Sequence, residues 1–436
     1  MSDPAPASGD PEAAADRPLP ADRPLSSDLR RAAPLAARGG LLVAVAAIVL
    51  GQLPPLLVNL LGGGLAVSTQ VRMGWLYAAA SNAVSIRIDG LSATAGELEP
   101  FGAATFRLAL LTLTLVLGWL LLRAGAAAAR TVSDSPVRRA LAGALVAPSY
   151  AVPLGILALV VELRLTTGGG FLPDVTTFRA VPWQAFVLPF ALAAGTGTVG
   201  GLLAGGEIRA RAWEAFAGGW QAFAWALGLA LVGLLAFAAI RPSGLEGYVD
   251  QLRSLGPRGA AVVVGHQVLL APNHAVLTLV PAMGACDVLA GPVRTTNIVC
   301  LDRQPTGENP LDTISDGLGD RAVPTQPLPA AAKLFVLVPL VAVALGARRG
   351  AARASSNADA ALRGVCAGVV FAGLVVIGVW TSTLTITTTA SGDAATLALG
   401  AQPFVAGAYA AAWGIVVGGI AGWSWFAAKG SRPSPA

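Results

Sequence analysis

Residues 266 to 274 read HQVLLAPNH, and the two histidines in that run are the only two in the chain. A histidine near its ordinary pKa can change charge around neutrality and pass a proton on. Gln267 and Asn273 add paired donors and acceptors, and Pro272 withdraws an amide donor and favours a helix break. Polar and ionisable groups within an apolar stretch are costly and mark function by default. His266, Gln267, Pro272, Asn273 and His274 are therefore the candidate polar pathway or pocket. The competing reading is a proline kink whose neighbours simply satisfy freed carbonyls. With no Asp or Glu in the segment, and no HExxH or CxxC anywhere, no metal is expected. The chain also lacks GxxxxGK[ST], GxSxG and a carboxylate pair within a helix, so neither a catalytic residue nor a cofactor is expected. The glycines of GTGTVGGLLAGG read as close helix packing rather than as a phosphate loop.

The elements that hold this segment follow from composition. The chain has 436 residues, 55% hydrophobic and only 12% charged, with a mean hydropathy of +0.67. A soluble domain carries about 25% charged residues, so the expected fold is an all-α polytopic membrane protein. Windows of about 20 apolar residues match the hydrocarbon core of a bilayer. Eight spanning helices are predicted, at 41–61, 101–122, 140–161, 183–205, 217–240, 330–346, 363–383 and 403–426.

Charge tests that count. By the positive-inside rule, Arg30, Arg31 and Arg38 before the first helix place the N-terminus in the cytoplasm. Arg123, Arg130, Arg138, Arg139, Arg209, Arg211, Arg348, Arg349, Arg353, Arg363 and Lys429 fall on the same side, and Asp89, Glu97, Glu99, Asp174 and Asp302 on the other. The net charge of +5 thus reads as topology, not as a nucleic-acid footprint. Residues 259–284 are left over. If they enter and leave on one side, every loop obeys the rule, which favours a re-entrant or kinked hairpin of two half-helices meeting at Ala271 to His274. If they span, the later loops invert.

Residues 1–39 are rich in Pro, Ala, Asp and Arg and are expected to be a disordered cytoplasmic tail. Residues 40–426 form the single transmembrane domain, with an extracellular loop at 285–329, and 427–436 a second cytoplasmic tail. Outside the membrane, SNAVSIRIDG, TTNIVCLDRQ and TLTITTTASGD alternate with strand period, so a small extracellular β cap or independent loops are both open. Trp75 and Tyr77 suit the interface. Cys286 and Cys300 lie in the outer loop and are the candidate disulfide; Cys366 is expected to be a small buried residue. The segment APSYAV at 147–152 echoes APNHAV at 271–276, as duplicated transporter halves do, although coincidence serves equally well in so Ala-rich a chain.

The stretch FRLALLTLTLVLGWLLLRAGAAAAR, then LLAPNHAVLTLVPAMG, then VPTQPLPAAAKLFVLVPLVAVALGARRG, resembles the order of landmarks in actinobacterial membrane-protein families of the streptophobe and PerM-like, cell-division-associated types. His274 departs from the apolar residue usual after their Pro-Asn. The resemblance implies an envelope or division-related scaffold without catalytic residues. Two functions remain: a cell-membrane scaffold whose partners are the lipid bilayer and a membrane protein or a second copy, or a small-solute or proton-coupled transporter or channel using 259–284.

Overall fold

The computed structural model describes residues 25–62, 64–94, 97–132, 135–166, 175–240, 246–290, 295–300, 330–390 and 393–430. Its first half runs α1 (Leu25–Gly51), α2 (Leu53–Leu60), α3 (Val67–Ala80), β1 (Ile86–Thr94), β2 (Glu97–Arg107), α4 (Leu111–Ala129), α5 (Pro136–Ala144), α6 (Val146–Val160), β3 (Glu162–Thr166), β4 (Val175–Ala180) and α7 (Pro182–Leu203). The second runs α8 (Gly206–Ile240), α9 (Glu246–Ser254), α10 (Gly256–Ala282), β5 (Asp287–Ala290), β6 (Thr295–Val299), a 3-10 turn (Ala330–Val336), α11 (Leu337–Gly350), α12 (Asn357–Ser382), β7 (Leu384–Ala390), β8 (Asp393–Ala401) and α13 (Pro403–Gly430). Among the described residues, nine helical stretches are long and apolar enough to cross a membrane, the eight expected spans and Gly259–Ala282.

Each pair of long helices is joined at one end by a β-hairpin, and the hairpins merge. The result among the described residues is one antiparallel sheet of eight strands in the order β3-β4-β1-β2-β7-β8-β5-β6. The three alternating stretches contribute β1, β6 and β7, and the sheet is larger than the cap expected from them. Residues 101–107 belong to β2, not to the second spanning helix, because their main chain pairs with β1 on one side and β7 on the other. The helix starts at Leu111 instead.

The two halves are copies of one topology. Leu163 opposite Phe178 in the β3–β4 hairpin recurs as Leu384 opposite Leu399 in β7–β8. The same step, 163 to 384, carries Gly197 packed on the Gly143 carbonyl to Gly418 packed on that of Gly364, and Gly201 on Arg139 to Gly422 on Ala360. A second step, 86 to 287, carries Ile86 opposite Ala180 to Asp287 opposite Ala401. It also carries the turn before the strand: the Val84 amide donates to the Ala79 carbonyl at 3.3 Å, and the Ala285 amide to that of Val280 at 3.3 Å. Ala83 and Gly284 occupy the left-handed region in that turn, with φ of 59° and 99°. So α3 corresponds to α10 and α6 to α12. The APSYAV and APNHAV echo lies in α6 and α10, which are not counterparts, and is not the trace of this duplication.

Each half buries its own core. Trp75, Leu117, Tyr150 and Leu154 anchor the first, and Phe223, Leu279, Phe371 and Val375 the second. Trp75 is only 3% exposed and is a core residue rather than an interfacial one. At the end opposite the sheet, Arg138 pairs with buried Asp28 at 3.0 Å, Arg363 bridges Glu214 and Asp359, and Arg348 stacks over Trp425. The Asp28 pair and buried Ala32 and Ala36 hold the first turns of α1 against the bundle. Residues 25–39 are therefore helical rather than a disordered tail, and residues 427–430 of the second tail continue α13. The remainder of both tails, 1–24 and 431–436, and residues 301–329 of the acidic loop lie outside the described residues. Cys286 and Cys300 are disulfide-bonded and tie the start of β5 to the end of β6. Cys366 is exposed on α12, contrary to the expectation of burial, on the same outer face as Leu362 and Val369.

Candidate functional site

Residues 256–282 form one helix, α10, with Pro272 and Pro281 inside it, in place of two half-helices meeting at a turn. A proline in a helix removes one hydrogen bond; here the flanking turns are held from outside. Asn273, 2% exposed, donates from Nδ2 to the Ala109 carbonyl at 2.7 Å and accepts the Leu111 amide on Oδ1 at 3.2 Å. It thereby caps α4, whose own cap residue, Leu110, has no side chain able to do so. His266 Nε2 meets the Tyr77 hydroxyl of α3 at 2.6 Å, and Gly265 packs on Leu57 and Leu61 of α2. Gln267 and His274 bond each other at 2.8 Å. Four of the five expected residues are thus spent on joining α10 to the first half or on holding its own shape.

His274 has a second neighbour, a cavity of about 360 Å³ beside α10. Its walls are apolar, with Phe237 of α8, Leu277 of α10, Val299 of β6 and Phe335 of the 3-10 turn, and its polar groups are His274, Thr278 and Asp287. The Thr278 hydroxyl is already donated to the His274 carbonyl at 2.9 Å. Asp287 differs. Its Oδ1 is buried without a hydrogen-bond partner among the described residues, and burial pushes its carboxyl up to about 8. Sequence reasoning passed over Asp287 because it sought polar groups inside apolar runs. The available signal was an acid directly after a cysteine whose disulfide pins the strand.

A carboxyl whose pKa is raised on folding weakens the folded state wherever the unfolded chain has already lost the proton. Between about pH 4 and pH 8 the stability is expected to fall with rising pH, by about 1.4 kcal/mol per unit from this group. Asp287→Asn should flatten that slope and leave acidic-pH stability nearly unchanged. Thermal unfolding of the purified proteins from pH 4 to 8 checks it; parallel slopes in both would mean that Asp287 is solvated.

The arrangement offers an apolar pocket with one buried acid, a histidine and a hydroxyl, and no described cation lining it. Among the described residues no group of His, Cys, Asp and Glu could hold a metal ion. No protein-family model, characterised protein or solved structure matches the chain.

Proposed function

We propose that this is a multi-pass membrane protein of the cell envelope that works by binding on its sheet side, as a scaffold, and moves no solute. The observation that carries the reading is how α10 spends its polar groups. Asn273 and His266 bolt the second half to the first, and neither is among the residues lining the cavity beside α10. Both cores are filled by aliphatic and aromatic side chains. Above them, main-chain pairing between β2 and β7 fuses strands of the two halves into one surface, which suits a docking platform better than a gate that must open between halves.

The charge pattern orients the protein. Arginines gather at the end away from the sheet, so that end is cytoplasmic by the positive-inside rule and the sheet faces outward. On this orientation both ends of α10 lie on the outer side and the continuous helix runs along the outer boundary without crossing, since it leads into β5 and touches α2, α3 and the start of α4 at the sheet end. Scaffold and envelope roles also agree with the resemblance noted in the sequence.

Two measurements test the reading. Single cysteines replacing Arg87 on the sheet and Leu255 before α10 should react with an impermeant thiol reagent in intact cells, and one replacing Arg353 should not. Proteoliposomes holding the protein should pass protons and small solutes no faster than empty ones. Flux that His274→Ala abolishes would overturn the scaffold in favour of a transporter.

A further inference from the structure

The duplication supplies an internal control for the cavity beside α10. The step from 86 to 287 makes Ile86 the counterpart of Asp287, Met73 that of His274 and Ser81 that of Ala282. In the first half the equivalent space is shut. Ile86 is 3% exposed, Met73 and Phe106 pack into the same core, and the Thr114 hydroxyl clasps the Ser81 carbonyl at 2.6 Å. In the second half, Val299 stands opposite Asp287 where Phe106 stands opposite Ile86. Ala282 and Phe335 line the opening, and the buried isoleucine has become an acid whose Oδ1 has no hydrogen-bond partner among the described residues. One fold position is thus sealed in one copy and, in the other, hollow and acidic.

A buried polar atom with no partner costs free energy unless something binds it. Mere loss of packing would leave an apolar void, not one with an acid in its lining. We propose that the cavity bounded by α8, α10, β5 and the 3-10 turn is a binding site for a single-chain amphiphile with an amine head, the chain lying on Leu277 and Phe335 and the ammonium against Asp287. Its volume falls in the range of about 300–1,000 Å³ usual for small-molecule sites. Among the described residues the facing titratable groups are Asp287 and His274; His274 is held to Gln267 through Nε2, which leaves the acid to meet the head. The inference rests on the sheet side being the working face.

The test uses the full chain in maltoside micelles, with dodecylamine, dodecanol and dodecanoate at matched loading, read by native mass spectrometry and thermal unfolding. Dodecylamine should bind at least tenfold tighter than dodecanol and raise the unfolding temperature by several degrees, and dodecanoate should bind least. Asp287→Asn should erase the preference for amine over alcohol. The pair Asp287→Ile with Val299→Phe, which installs the residues of the first half, should fold at least as well and bind none of the three. A didodecanoyl phosphatidylethanolamine arm separates the sources: competition with dodecylamine identifies a lipid head as the natural amine, and its absence a free amine. Equal binding of amine and alcohol by the unaltered chain, or amine binding that survives in the sealed variant, would overturn the site. Neither result touches the labelling and flux tests of the scaffold reading.

Discussion

Asn273→Leu is expected to be among the most damaging single substitutions in the chain, lowering stability by about 2–5 kcal/mol. The figure follows from two backbone groups. The Ala109 carbonyl and the Leu111 amide, both buried with the start of α4, lose their partner together, and each unsatisfied group costs about 1–3 kcal/mol. Leucine has the same branching as asparagine and is bulkier, so no cavity forms, and any overpacking adds a cost of the same sign. Asn273→Asp separates donor from acceptor. A carboxylate still accepts from the Leu111 amide, but cannot donate to Ala109 and adds a buried charge; a protonated carboxyl can do both. That variant should therefore be unstable at neutral pH and recover on acidification, whereas Asn273→Leu should not. Unfolding midpoints of the three proteins at two pH values decide it. If Asn273→Leu melts with the unaltered chain, the residue is no clamp between the halves.

The same asparagine shows how far the sequence can be read. Its anomaly was visible, a polar residue beside a proline in an apolar run, and so was the choice between kink and pathway. Its partners were not, because Ala109 and Leu111 lie more than 160 positions away and offer only their backbone, which carries no residue signature. Spanning helices were legible from apolar windows because a bilayer demands length and little else. Strands were legible only where side chains alternate, as in Val84 to Asp89. β3, β4 and β5 are only four to six residues long, and β8, though nine residues long, is rich in alanine, so they give little local signal. Phe101 to Arg107 reads as helix because apolar residues flank Arg107 on both sides of the strand-to-helix junction. The duplication hid for a related reason. It is a repeat of backbone contacts, in which Ile86 can become Asp287 and Phe106 can become Val299 while register and turn persist. A sequence echo such as APSYAV and APNHAV repeats letters without repeating place.

Two glycines in α7, two positions apart, should respond to the same alanine substitution with opposite sign. Gly197 faces α5, where a Cβ would overlap the Gly143 carbonyl oxygen; nothing lies within 4 Å of where a Cβ on Gly195 would sit. Gly195→Ala therefore adds only helix propensity, worth up to about 1 kcal/mol, and should be neutral or mildly stabilising. Gly197→Ala must push two backbones apart, so overpacking costs of about 1–3 kcal/mol or more apply. The duplication extends the prediction. Gly418→Ala meets the Gly364 carbonyl across α12 and α13 as Gly197 meets Gly143, and should lose a comparable amount, whereas Gly373→Ala, in open space on α12, should match Gly195→Ala. Because these contacts are backbone to backbone, no compensating change of side chain relieves them, and the cost should persist in detergent and in lipid alike. Unfolding temperatures of the four single variants in both settings are the measurement. Equal effects at Gly195 and Gly197 would mean that the helices are not in backbone contact, and unequal effects at Gly197 and Gly418 that the two halves do not share one packing.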